Sequence, residues 1–382
     1  MKKKSLITNL SLLAVVAIAL FTTACSKDDD DDILPIDQSP ESFDREAMLT
    51  NYANQYIKPA YTEYESQVIA LQNAVGSFNS TLDLSSLSNL RSAWHNALLT
   101  WQDVAFLEFG PALAISLRGQ TNVYPITASV IDNNIASGSY NLAQAINIPA
   151  KGFQAVDYLL YGVAGNDADI ITYFTNSSNA RAYLEDVVNE LKVNATAVKN
   201  DWFGTYASSF IANSASNADG SSVSIIVNTI NLHYEKYLRN GKLGFPLNVF
   251  DPFTTQTFPE KVEAYYHGQS LPYLYRSLSS LQTFINGNAY GNSATGIGFD
   301  DYVSFVNAQT GGQPLQTVIN NQFSIINAEL ATINDPLANE VSANNPALTT
   351  LYQKIQEMVA YIKVDMSDAI EVIITYDSGD GD

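Results

Sequence analysis

Apolar side chains recur in this sequence at alternating steps of three and four residues. Leu184, Val188, Leu191, Ala195, Val198 and Trp202 follow one another in this way, as do Leu274, Leu278, Leu281 and Ile285. A third run joins Leu351, Ile355, Met358, Ile362, Met366 and Ile370. Such spacing places each set on one face of an α-helix, and a helix with a single apolar stripe must bury it against other helices. Patterns of period two are scarce. Val372 to Thr375 is the best candidate for a strand, and it reads equally well as a helix end. The expected fold is therefore all-α, built of helical bundles of the four-helix type.

Local punctuation supports this. Thr257 with Glu260 three residues on forms a capping box, with Pro259 in the first turn, and predicts the start of the helix that Gly287 closes. Asn286, Gly287 and Asn288 suit a left-handed cap there. Asn- and Ser-rich stretches at 176–179 and 213–222 read as loops. The second loop divides the chain beyond its N-terminal segments nearly in half. About 340 residues exceed one small bundle, so two bundles are expected, over 43–215 and 216–382.

The N-terminus reads as an export signal. Lys2, Lys3 and Lys4 precede an apolar run from Leu6 to Phe21, and the small residues Thr22, Thr23 and Ala24 lead to Cys25. That layout predicts a signal peptide over 1–24, cleaved so that Cys25 becomes the first residue and takes a lipid. An uncleaved membrane anchor is the alternative, and the small residues and the acidic run beyond argue against it. Cys25 is the single cysteine. No disulfide, thiolate metal site or cysteine nucleophile is then expected, and a chain of this length needs no disulfide. Residues 25–42 read as anchor and linker. Within them Asp28 to Asp32 form a solvated tether, and Lys27 with these aspartates resembles the export signal of Bacteroidetes surface lipoproteins. The expected location is the outer membrane, at the cell surface or facing the periplasm.

Charge excludes some partners. The chain carries 19 basic and 39 acidic residues, a net charge of −20. Without the three N-terminal lysines this becomes 16 − 39 = −23. Nucleic acid and anionic headgroups both call for a basic footprint, which the overall balance does not supply. His95, His233 and His267 are far apart in sequence and form no His-Glu-x-x-His pair. Gly291 to Thr295 fails as a nucleophile elbow at its last position. Phosphate-binding loops and dinucleotide fingerprints are absent. The many Tyr and Phe residues read first as helix packing, and only second as a sugar-stacking surface.

Several stretches, read in order, resemble the imelysin family. They are Tyr56 to Tyr61, Trp94 to Trp101 running into Phe109-Gly110-Pro111, and Lys151 to Gly162. Lys242 to Leu247, Glu263 to Ser270 and the terminal Asp377 to Asp382 complete the set. The resemblance implies two helical bundles with a cleft between them, in exported proteins often tied to iron uptake, some of them partners of ferrous-iron permeases. It also carries a peptidase label. The family signature is Gly-x-His-x-x-Glu, and on a helix residues three apart share a face and can reach one cation. Here Gly152 stands, Gln154 replaces the His and Asp157 replaces the Glu. A neutral amide is a far weaker ligand than imidazole for iron or zinc, while an oxygen-only site for a hard cation such as Ca²⁺ stays open. The family's acidic position falls on Ala105, with Asp103 and Glu108 as near substitutes. Asp132, Glu263 and Ser270 are further candidate cleft residues. The other reading of Gln154 and Asp157 is a buried polar pair that hydrogen-bonds across the interface. Gly152 then serves close helix approach or a bend rather than a ligand.

Three functions remain open at this point. The first is a lipoprotein that binds a metal (iron or calcium among the candidates) or another ligand in the cleft, alongside iron-uptake or other outer-membrane components. The second is a metal-dependent peptidase, which needs an activated water on a bound metal held by the residues replaced here. The third is a glycan- or protein-binding module that has lost the metal site.

Overall fold

The computed structural model describes residues 42–251 and 253–376. Cys25, the aspartate run and Asp377 to Asp382 lie outside the described residues, and with them the expected signal peptide, lipid site and acidic tail.

The apolar stripes form helices. We label the principal ones α1 (Arg45–Asn51), α2 (Lys58–Thr81), α3 (Leu84–Gln102), α4 (Gly152–Asp157), α5 (Ser178–Phe203), α6 (Ser222–Leu232), α7 (Leu271–Ile285), α8 (Leu315–Leu330) and α9 (Pro346–Val359). Every residue of the three stripes is buried. Among the described residues the strands are Gln309–Thr310 and Gln313–Pro314, one short antiparallel pair, so the fold is all-α. Helix α2 packs along α3 and α5, with α4 lying against α5. In the second half, α8 packs on α7 and α9, and α7 also reaches across to α3. Residues from Phe43 onward form one unit, and a single hydrophobic core runs through both halves.

Among the described residues four helical stretches are wound as π-helix: Tyr52–Ile57, Tyr158–Gly162, His233–Gly244 and Ala360–Met366. Wide winding of this kind is uncommon and is concentrated at functional sites. The stretch from His233 continues α6 and is the longest of the four, at 12 residues.

Three local expectations are decided by the structure. Of the two readings of Val372 to Thr375, the helix end holds and the strand does not. Glu371 takes a left-handed φ of 55° and ends the preceding helix, and the Val372 N–H donates back to the Ser367 carbonyl at 2.8 Å. Val372 is then the buried apolar residue that accompanies such a cap. The stretch at 176–179 is no loop, because Ser177 alone separates two helices and its Oγ caps α5 by accepting the Ala180 N–H at 3.1 Å.

The box at Thr257 and Glu260 does not start a long helix either. Pro259–Lys261 makes one tight turn, the chain then runs irregularly, and α7 begins only at Leu271. The cap comes from elsewhere: Asp335 accepts the N–H groups of Ser270 at 3.0 Å and Leu271 at 3.1 Å. A tertiary carboxylate at a helix N-terminus outweighs a local box. The helix ends as expected, with Gly287 at φ 61° against the Gly296–Gly298 backbone.

Aromatic and polar contacts hold the two halves together. Tyr52 stacks on Phe284 with ring centroids 4.2 Å apart, and Tyr56 meets the same ring edge-on at 5.1 Å. Asp103, buried just past α3, accepts from Arg276 Nε at 2.6 Å and Nη2 at 2.8 Å, from Ser280 Oγ at 2.5 Å and from Tyr290 Oη at 3.0 Å. It thus anchors α7 and is no cleft ligand. Removing one partner of a buried, hydrogen-bonded pair leaves the others unsatisfied, although the half-exposed Arg276 can turn to water. Asp103→Ala should therefore lower stability by about 2–3 kcal/mol, measured as a shift in urea midpoint. An unchanged midpoint would show that this cluster does not hold α7 on α3.

Candidate functional site

A cleft of ≈ 1290 Å³ opens between residues 101–125, which complete α3 and the segment after it, and the π-wound stretch beginning at His233. Phe245, Phe250 and Tyr376 border it from the second half.

One wall is a buried polar network assembled from five separate segments. Gln102, at the end of α3, donates through Nε2 to Glu263 Oε1 at 3.0 Å and accepts from Lys242 Nζ at 3.0 Å. Lys242 also forms an ion pair with the other oxygen of Glu263. Asn122 Nδ2 donates to Glu263 Oε1 at 2.7 Å, and Asn122 Oδ1 accepts from Gln154 Nε2 at 2.8 Å. Gln102, Asn122 and Lys242 line the cleft as well, so the network faces it.

Helix α4 places Gln154 and Asp157 on one face, as their spacing implies. Both point at the irregular segment before α7. Gln154 Oε1 accepts the Ala264 N–H at 2.8 Å. Asp157 accepts the N–H groups of Tyr266 and His267, each at 2.9 Å, one on each oxygen. Ala264 itself has φ 55°, a costly conformation for a residue with a side chain, and these bonds help to fix it. Ser270 Oγ donates to the Glu263 carbonyl at 2.5 Å, closing the segment on itself. Gly152 starts α4 with φ 73°, and a Cβ there would sit 2.2 Å from the Thr121 carbonyl oxygen. It serves close approach of backbones.

The remaining candidates scatter. Glu108 lines the cleft but turns its carboxylate onto the Arg118 backbone N–H, at 3.1 and 3.2 Å. Burial pushes its pKa up, against the pull of Arg118. Asp132 lies outside the cleft, accepting from Tyr158 Oη at 2.9 Å. Ala105, at the family's acidic position, is buried and lines the cleft without charge.

Three features had no signal in the linear sequence. Lys242 opens one of the stretches that resemble the family, but nothing in the sequence marks it as buried. His95 and His267, far apart along the chain, come together with ring centroids 5.9 Å apart, behind the network rather than in the cleft. His95 Nδ1 lies 2.8 Å from Tyr273 Oη. His233 lines the cleft, is buried, and has neither ring nitrogen hydrogen-bonded.

The imelysin family model (peptidase family M75) matches residues 57–364. The chain belongs to the imelysin family. Solved structures that share its fold include two imelysin-like or iron-regulated proteins. One is a protein from Parabacteroides distasonis named as an iron-regulated protein A precursor, at TM-score 0.71 and 16% identity, covering 88% of this chain and 98% of that one. The other is an imelysin-like protein from Psychrobacter arcticum, at TM-score 0.68 and 16% identity, covering 87% and 97%. Curated proteins offer no match to this sequence.

In this imelysin-family chain the residues at the signature do not fit a metal ion. Both Asp157 oxygens and the Gln154 carbonyl accept backbone N–H groups, and Glu263 is already paired with an ammonium. Among the described residues no three His, Cys, Asp or Glu side chains gather closely enough to hold a cation. The ammonium of Lys242 is the cation of this network.

Two titrations oppose each other here. Burial pushes Asp157 up to about 7, outweighing the two N–H donors, and Glu263 adds repulsion. Burial, with His95 and Arg91 nearby, holds His267 down to about 4. A carboxyl raised in the folded state contributes stability that is full below its unfolded pKa and is lost as pH rises through 7. A depressed imidazole contributes stability present above its unfolded pKa and lost as pH falls toward 4. Asp157→Asn removes only the first and leaves an amide facing two N–H donors. The variant should be less stable, and its deficit should shrink by on the order of 1 kcal/mol or more between pH 4 and 7. Denaturant titrations at several pH values check this, and a deficit that grows over that window would contradict it.

Proposed function

We propose that this chain is an exported, lipid-anchored binding protein of iron acquisition, and that its cleft holds a ligand rather than catalysing a reaction. The observation that carries the reading is the cleft itself: ≈ 1290 Å³, bordered by aromatic and polar side chains, with a wall whose polar groups are mutually satisfied. A large, pre-formed hollow with convergent polar groups suits binding. A peptidase would need a group free to activate water. At the altered signature the carboxylate and the amide are instead committed to backbone N–H groups.

The link to iron comes from family membership and from the relative named as iron-regulated. Anchorage follows from the layout of residues 1–25, with Cys25 the single thiol available for lipid. The aspartates at 28–32 would hold the folded part off the membrane.

In cells grown under iron limitation, deletion of this chain should reduce uptake of radioactive iron supplied as a chelate. The intact gene should restore it and Cys25→Ala should not. Equal uptake in all three strains would sink the iron reading. Restoration by Cys25→Ala would remove the anchor from it.

A further inference from the structure

The chain as a whole is strongly acidic, and its cleft is not. The cleft is lined by Arg118, Lys236, Lys242 and Lys261, against one carboxylate, Glu108. In a sequence with twice as many acids as bases that is a local inversion of charge. Lys242 is neutralised by Glu263, and Glu108 is turned onto a backbone N–H. Lys236 and Lys261 have no carboxylate partner among the described residues.

Two of the lining residues, Arg118 and His233, hold buried nitrogen atoms that make no hydrogen bond. The Arg118 guanidinium is held in place, donating through Nη2 to the Ala105 carbonyl at 2.8 Å and lying 3.8 Å from the centroid of the Tyr237 ring. Its Nε is buried without a partner. His233 is 3% exposed, and neither of its nitrogens is hydrogen-bonded. The Ala105 carbonyl faces that ring outside good geometry and already accepts from Arg118. A buried donor left without a partner costs roughly 1–3 kcal/mol, and an acidic ligand would bring acceptors to this part of the wall. The lining also holds the aromatic side chains of Trp101, Tyr237, Phe245 and Phe250, beside neutral polar ones such as Asn228 and Asn240. Phe245 and Phe250 pack with ring centroids 5.2 Å apart at the mouth.

We infer that the cleft binds an organic anion, an acidic head on an apolar or aromatic body, with the head on Arg118, His233, Lys236 and Lys261. This deepens the binding reading above and rests on this cleft being the binding site. Guanidinium and ammonium groups supply charge-assisted bonds to a carboxylate or a related acid, and the aromatic walls cover its body. A bare metal cation would meet the wrong sign of charge. An iron ligand of this cleft would be a negatively charged chelate.

The test uses the full mature chain and two fluorescent probes of similar shape: anionic 1-anilinonaphthalene-8-sulfonate and neutral N-phenyl-1-naphthylamine. The anion should bind at least about tenfold more tightly, a difference of about 1.4 kcal/mol, and its affinity should fall with added salt. Lys236→Gln with Lys261→Gln, both on half-buried side chains, should remove that preference while leaving the neutral probe unaffected. Circular dichroism confirms that the double variant keeps its helices, and Arg118→Gln provides a second, independent test at the head group. Equal affinity for the two probes, or an anion preference that survives in both variants, overturns the inference. Competition separates it from the iron reading. Displacement of the bound anion by ferric citrate supports both. Anion binding that ferric citrate does not disturb, together with unchanged iron uptake in the deletion strain, keeps the anion site and removes iron. Reduced uptake without any anion preference keeps iron and removes the anion site.

Discussion

Lys242 and Glu263 are both buried, and they form an ion pair with each other. Taking two such ions out of water costs several kcal/mol each, and the attraction between them offsets this only when the remaining donors and acceptors are also satisfied. Here Gln102 bonds both members at once, and Asn122 takes a further place on Glu263. Five segments must therefore arrive in register: the end of α3, the stretch after it, α4, the π-wound helix and the irregular run before α7. A network of this kind is either complete or costly. Its completeness explains why the run from Glu263 to His267 holds a defined path without regular structure. Gln154 and Asp157 grip its backbone from one side while Glu263 is gripped from the other.

The sequence features that proved readable were those that repeat locally. The apolar stripes of α5, α7 and α9 run at helical steps, and each residue in them is buried. Gly287 was legible because a left-handed cap asks for a residue without a side chain. The capping box before α7 failed because Asp335, 64 residues beyond Leu271, supplies the cap instead. No local window contains that competitor. Ser177 marks a helix boundary, but a boundary of one residue cannot be told from a loop by composition.

The site was legible in part, for the same reason. Gln154 and Asp157 stand three apart, so their shared face followed from helix geometry. The backbone N–H groups they accept lie more than 100 residues away, and the choice between ligand site and polar pair depended on those partners. Acidic or hydroxyl identity alone does not reveal which face a residue joins. Asp103 went to α7, Asp132 to a tyrosine, Ser270 to a backbone carbonyl, and Glu263 to the network. Lys242 stood in a family-like stretch, but its burial gave no signal, because a lysine on a helix is ordinarily solvated. It lies on the π-wound stretch His233–Gly244, one continuous helix that carries Lys242 in the network and His233 in the cleft lining.

That division along one helix bears on how an acidic protein can hold an anion. Charges separated by more than about 8 Å are largely screened at physiological ionic strength. Much of the excess negative charge is therefore muted inside the cleft, and the groups within bonding distance decide. There Lys242 is silenced by Glu263, which leaves Arg118, Lys236 and Lys261, against the single carboxylate of Glu108, as the charges a ligand meets. The buried pair thus does two things. It fixes the segment that closes one wall, and it removes Glu263 as a competitor for any anion entering beside it. Were Glu263 free, its carboxylate would face the same cations and reverse much of their pull. Structural and binding roles here are the same set of hydrogen bonds seen from the two sides of one wall.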